Sequence, residues 1–212
     1  MADKKRILVL SPHPDDESIG CGGTLLHHVK EGDTVHIVFL TSGENGGHGL
    51  SALETIRVRE AESCAAAEIL GVKHLEFWRL PDGNVRATHG PVERLRNKLN
   101  QFMPDRVYVP HEGEMHADHR GTARLIRRAL QGLKEIRPLV WMYEIWTPTQ
   151  RLDAIIDISE FMNLKLRAVR AYRSQCSEVD FVEAVRGLNR YRGEMHSWPG
   201  GDFAEAFTRM KL

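Results

Sequence analysis

Ser11-Pro-His-Pro-Asp-Asp-Glu17 gathers one imidazole and three carboxylates directly behind the apolar run Ile7-Leu8-Val9-Leu10, where a buried strand would end. Such a loop has the chemistry of a divalent-ion site. His13 and Asp16 reach one cation from a single tight turn, while Asp15, between them, points elsewhere and is left free to handle a proton. A second cluster, His116-Ala-Asp-His119, offers the missing ligand. A catalytic zinc site has three protein ligands and keeps one position open for water, and His13, Asp16 and His119 make that set. Two neutral imidazoles and one carboxylate leave the ion with net positive charge, which lowers the pKa of bound water toward ~7. The same donors accept Fe2+ or another divalent ion, because affinity alone does not choose the metal.

His116 and His119 stand three apart, near the start of a helix that continues through Ala123, Ile126, Ala129, Leu130 and Leu133. His119 is assigned to the metal and His116 to a developing oxyanion, with Asp118 orienting His116 and keeping it protonated. Spacing by itself does not decide which histidine ligates. Glu17 is read as a partner of backbone amides at a helix start. The competing reading is a turn with a helix cap and a solvated helix N-terminus. Two such clusters at the ends of two expected strands weigh against it.

The elements that must hold these loops follow from periodicity. Aliphatic runs at 7–10, 34–40, 74–78, 106–110 and 139–145 alternate with helical patterns at about 20–31, 53–70, 91–102, 118–134 and 160–173. Strand-helix alternation implies an α/β fold with a mostly parallel sheet. In such sheets ligands bind beyond the carboxyl ends of the strands, and both polar clusters fall there. Gly32 and Gly71 read as helix stops, and Ser159 as an N-cap. The glycine-rich loop 41–52 reads as a mobile rim or an ordinary flexible loop in equal measure.

At 212 residues the chain matches a prior of ~100–200 residues per domain, so residues 1–212 are read as one domain, with about 147–212 a helical and loop appendage. Lysine plus arginine and aspartate plus glutamate both total 29. Zero net charge leaves no electrostatic footprint for nucleic acid or an anionic membrane and favours a small molecule as partner. Cys21, Cys64 and Cys176 form no pair motif, and no apolar stretch has membrane length, so a cytoplasmic protein is expected.

Other residues carry weaker signals. Gly20-Cys-Gly-Gly23 lacks the last glycine of a dinucleotide loop, and these glycines read as allowing a helix to approach the sheet closely. His27, His28, His74, His89 and His196 have no ligand spacing, and His111 is read as structural. Arg57 and Glu60 share a helix face, with Val58, Ala61, Ala65 and Ile69 as the apolar stripe. Arg57 then either pairs on the surface or reaches a substrate hydroxyl or carboxylate.

Ser11-Pro-His-Pro-Asp-Asp-Glu17 with His116-Ala-Asp-His119 resembles the paired signature of the LmbE/PIG-L-like family of zinc-dependent de-N-acetylases. The likeness extends to Arg57-x-x-Glu60, Leu80-Pro-Asp-Gly83, Asp157-Ile-Ser-Glu160 and Tyr172-x-Ser174-Gln175. It implies a Rossmann-like three-layer sandwich and zinc on His13, Asp16 and His119. It also implies Asp15 as base, His116 with Asp118 at the tetrahedral intermediate, and Arg57 on the substrate. The expected activity is removal of acetyl from a small N-acetylglucosamine-type substrate. An amidase acting on a larger conjugate and a non-catalytic metal- or nucleotide-binding module stand as alternatives. The membrane anchor of relatives acting on glycosylphosphatidylinositol precursors is not seen. Relatives often form trimers or larger rings, which allows a homo-oligomer.

Overall fold

The computed structural model describes residues 3–133, 135–196 and 201–212. Seven strands, β1 (Arg6–Ser11), β2 (Thr34–Phe39), β3 (His74–Phe77), β4 (Arg106–Pro110), β5 (Leu139–Tyr143), β6 (Ala154–Asp157) and β7 (Ala204–Arg209), form one sheet in the order β3-β2-β1-β4-β5-β7-β6. The helices are α1 (Asp16–Glu31), α2 (Ala52–Leu70), α3 (His89–Phe102), α4 (Ala117–Gln131), α5 (Met162–Ala171), α6 (Arg173–Cys176) and α7 (Phe181–His196). Strands β1 to β5 are parallel, whereas β7 runs antiparallel to both β5 and β6. The result is the expected α/β architecture with a mostly parallel sheet.

Alternation along β1 explains the layers. Ile7 and Val9 pack with Cys21 and Leu25 of α1 and with Ala66 and Leu70 of α2. Leu8 and Leu10 point the other way, onto Val92, Leu95 and Leu99 of α3 and Ala123 and Ile126 of α4. Buried on both faces, such a strand reads as an unbroken apolar run rather than an alternating one. Because β1 lies between β2 and β4, the connections leaving β1 and β4 open a crevice at their carboxyl ends. Both polar clusters occupy that crevice.

Close approach fixes the crevice. A Cβ on Gly20 would fall 2.2 Å from the Tyr143 ring, so α1 rests directly on β5. The Tyr143 hydroxyl donates to the Leu10 carbonyl at 2.9 Å, and the Tyr143 carbonyl accepts from His111 N–H at 3.0 Å. Tyr143 therefore ties together the exits of both site-bearing strands.

Two expectations are corrected. The segment 147–212 is no helical and loop appendage, since β7 enters the sheet between β5 and β6 and α7 packs beside them. Glu205 on β7 is buried because it accepts from Lys165 Nζ at 2.7 Å and from Gly23 N–H and Thr24 N–H at 2.8 Å each. Helix α2 also buries a different face from the one its apolar residues mark. Thr55, Arg59, Ser63, Ala66 and Leu70 point inward, whereas Ala61 and Ala65 are exposed. Among the described residues, no helix is long and apolar enough to cross a membrane.

Candidate metal centre and active site

Asp16 Oδ2 is the meeting point of the two loops. It lies 3.2 Å from His13 Nδ1, on its own loop, and 3.3 Å from His119 Nε2, on α4. A tetrahedral ion with ~2.1 Å bonds sets its ligand atoms about 3.4 Å apart, so both separations suit a shared cation. His119 Nε2 is buried and has no hydrogen-bond partner. A buried ring nitrogen is costly to leave unmet, and in the neutral ring a cation beside Asp16 would satisfy it. The donor set thus fits a divalent ion. Nitrogens of His13, His116 and His119 also lie within 4.8 Å of one another, placing His116 at the same spot.

The ring orientations are enforced from behind. His13 Nε2 meets Asp82 Oδ1 at 3.1 Å and Asp118 Oδ2 at 3.2 Å, which leaves Nδ1 facing Asp16. His119 Nδ1 meets Glu114 Oε2 at 3.3 Å, which leaves Nε2 facing Asp16. An imidazole whose outer N–H is held by a carboxylate has its tautomer fixed for ligation. Each carboxylate is itself anchored by backbone. Asp118 accepts from Gly83 N–H and Val85 N–H, and Glu114 from the amides of Ile145, Trp146 and Thr147. Burial would raise Glu114, yet hydrogen bonds from His111, His119 and these amides hold it down at about 2. Burial likewise opposes protonation of His13, but Asp118, Asp16 and Asp82 outweigh it and raise the ring well above its ordinary value. Burial also works against the charged forms of Asp16 and His119. Their mutual attraction wins, lowering Asp16 and lifting His119 to about 9.

Asp15 is the N-cap of α1 and sits at φ 124, a backbone region that L-residues rarely adopt. Its carboxylate faces Arg59, whose Nη2 lies 3.1 Å from Asp15 Oδ2. Burial pushes Asp15 up to about 7, with the Arg59 guanidinium opposing and the Asp16 carboxylate adding to the rise. A carboxyl poised near neutrality suits proton transfer. Arg59 is further held by Pro14 O at 2.6 Å and Gly43 O at 3.2 Å.

The structure departs from the expected roles in two places. Arg57 is exposed and does not line the cavity; Arg59 does. Two residues on a helix differ by about 200°, so the misread face of α2 selected the wrong arginine. Nor does the Asp118 carboxylate orient His116, since it faces His13. Instead, the His116 ring caps α4, with Nδ1 accepting from Asp118 N–H at 3.2 Å. Burial, then the charges on His13 and His119, lower His116, the opposite of the expected rise. With Nδ1 an acceptor, the neutral ring carries its proton on Nε2.

A cavity of about 340 Å3 opens on this centre, lined by His13, Asp15, Asp16, Arg59, Asp82 and His116 and rimmed by Asn45, Trp146, Gln175 and Phe181. Asn45 belongs to the glycine-rich loop, which is fastened: Asn45 N–H donates to Asp82 Oδ2 at 3.0 Å and Gln175 Nε2 to Gly46 O at 3.1 Å. His111 lies outside the cavity, with Nε2 2.6 Å from Thr147 O, a structural role. Glu17 accepts from Tyr172 Oη at 2.6 Å and from Asp15 N–H at 3.2 Å. Sequence reasoning missed Arg59, Glu114, Trp146 and Phe181, and gave Asp82 no role.

Known proteins supply the comparison. The family model described as PIG-L, GlcNAc-PI de-N-acetylase, matches residues 8–130. A diacetylchitobiose deacetylase of Thermococcus kodakarensis is 31% identical, over 91% of this chain and 79% of the relative. The solved N,N'-diacetylchitobiose deacetylase from Pyrococcus horikoshii superposes with a TM-score of 0.85 at 28% identity, covering 98% of this chain and 84% of that one. A 4-carboxy-2-hydroxymuconate hydratase from Pseudomonas putida, 24% identical with a TM-score of 0.87 over 98% of this chain and 97% of that one, shares the fold.

Proposed function

This chain belongs to the PIG-L (LmbE-like) family, and from that premise we propose a zinc-dependent hydrolase that removes the acetyl group from a small N-acetylglucosamine-type substrate, releasing acetate and free amine. The family is metal-dependent and its deacetylase members are hydrolases, so the chain is an N-deacetylase by kinship. The observation that carries the finer reading is Asp16 Oδ2 between His13 Nδ1 and the partnerless His119 Nε2. Two imidazoles and a carboxylate near tetrahedral spacing favour zinc among the divalent ions.

With such an ion on His13, Asp16 and His119, the site gains a Lewis acid that polarises a carbonyl oxygen and acidifies water. The remaining steps belong to the chain. Asp15 accepts a proton as water adds to the acetamide carbon, and delivers it to the nitrogen as the C–N bond breaks. His116 Nε2–H donates to the oxygen that gains charge at the tetrahedral stage. Arg59 holds the Asp15 carboxylate in place across this cycle. The three free cysteines, Cys21 among them buried, fit a reducing cytoplasm.

The hydratase relative is named for a polycarboxylate, whereas the cavity here is walled by Asp15, Asp16 and Asp82, which favours the amide reading. The test incubates zinc-loaded protein with N-acetylated sugars and quantifies acetate. Acetate release that falls 10²- to 10⁴-fold in Asp15→Asn at unchanged metal content supports the reading. No acetate from any substrate, or full turnover by the variant, would overturn it.

A further inference from the structure

The cavity's charge and its aromatic rim point to a substrate class. Asp15, Asp16 and Asp82 line it, with Asp118 and Glu114 directly behind the two histidines. The His13 imidazole is spent on Asp16, Asp82 and Asp118, and the Arg59 guanidinium on Asp15, Pro14 O and Gly43 O. Its Nε is buried away from the cavity, so the guanidinium presents no unspent charge to a ligand. A divalent cation beside that guanidinium still meets five carboxylates. The field in the cavity therefore opposes an anionic ligand.

At about 340 Å3 the cavity is near the lower end of the ~300–1,000 Å3 usual for ligand sites. That is room for one sugar ring, so the group attached to the sugar lies at the mouth. There Trp146, 45% exposed, meets Phe181 edge-on with ring centroids 5.4 Å apart. Met115, 70% exposed, is tied to the residue after Trp146, its N–H donating to Thr147 Oγ1. Exposed aromatic faces beside a polar cavity gain most from a flat or apolar neighbour.

We propose that the enzyme selects uncharged N-acetylglucosaminides, whose appended group packs on the Trp146–Phe181 rim, and discriminates against anionic conjugates. The inference rests on the deacetylase reading above and narrows it. Trp146 is a specificity residue that holds the leaving half of the molecule without touching the acetamide.

The test uses zinc-loaded full-length protein and three α-linked probes: the methyl and phenyl N-acetylglucosaminides and N-acetylglucosamine 1-phosphate. Acetate release gives kcat and KM, and quenching of tryptophan fluorescence gives binding independently of turnover. The phenyl glycoside is expected to exceed the methyl glycoside in kcat/KM by about three- to tenfold through aromatic contact, and the 1-phosphate to trail both at least about tenfold. Trp146→Ala raises KM for the phenyl glycoside by a similar factor at unchanged kcat, and Trp146→Phe restores most of it. A 1-phosphate that is the best substrate, or a Trp146→Ala variant that keeps the phenyl preference, overturns the proposal while leaving the deacetylase reading intact. Selective binding of the phenyl glycoside with no acetate from any probe sustains the proposal and sinks the deacetylase reading.

Discussion

Glu114 Oε2 lies 3.3 Å from His119 Nδ1, with both side chains fully buried, so the third proposed ligand is aimed by a residue five positions earlier in the chain. Replacing Glu114 by glutamine keeps the shape and removes the charge that makes the ring a strong donor. Affinity for zinc is expected to fall about 10- to 100-fold, read by competition with a chromophoric chelator. An unchanged dissociation constant would show that Glu114 serves only the backbone amides of Ile145, Trp146 and Thr147.

Asp15 and Arg59 form a buried pair whose members fail differently. Arg59→Met leaves Asp15 buried without its counter-charge and is expected to cost about 3–5 kcal/mol in urea unfolding. Asp15→Asn leaves the guanidinium facing an amide dipole. In the double variant Asp15→Asn/Arg59→Met neither charge remains, so the cycle should show a coupling of at least about 1 kcal/mol. Strict additivity would mean that the pair does not act as a unit.

Lys165 Nζ and Glu205 Oε1 are joined at 2.7 Å with almost no exposure on either side. Lys165→Met strands a buried carboxylate and should cost about 3–5 kcal/mol, a Tm fall of roughly 6–20 °C for a chain of this size. Gly23 N–H and Thr24 N–H bond to different oxygens of Glu205, and glutamine keeps only one acceptor, so Lys165→Met/Glu205→Gln removes the stranded charge at the cost of one amide bond and is expected to recover part of the loss. Calorimetry of both variants checks this.

His36, half-buried on β2, meets Lys98 Nζ at 3.2 Å, Glu76 at 3.8 Å and the ring of His74. Burial, then the Lys98 charge, pulls its pKa down from 6.5 to about 4, with Glu76 opposing. The folded protein therefore binds fewer protons here than the unfolded chain. Stability is fully present above pH 6.5 and falls as pH drops through that value toward 4. With the partial exposure screening the charge, the loss is on the order of 1 kcal/mol. His36→Gln should flatten this part of the stability profile, measured by denaturant melts at pH 7 and pH 4.5.

Much of the frame was legible because β1, β2, β4 and β5 are buried on both faces and read as apolar runs. The two motifs were legible because ligand chemistry restricts residue type. Helix α2 misled for a physical reason. Its inner face meets the polar loops, so it carries Thr55, Arg59 and Ser63, and hydropathy marked the outer alanines instead. Strand β7 hid because Glu205 interrupts its apolar pattern, its charge met by Lys165 from another helix. In α7 the buried stripe runs from Val182 and Val185 into Asn189 and Arg192, and Arg192 is matched by Glu144. Glu114 and Asp82 are visible only in three dimensions, since a carboxylate behind a ligand has no fixed spacing from it.

Tyr143 against Gly20 and Glu114 beneath the amides of Ile145–Thr147 bear on how little of this molecule could work alone. All the proposed ligands, and Asp15, precede residue 130. A fragment cut after α4 would hold every group that does chemistry yet lose the ring on which the first motif rests and the amides that seat Glu114. Its two loops would have no fixed separation, so a minimal enzyme has to be sought by shortening the surface and not by trimming the carboxyl-terminal third.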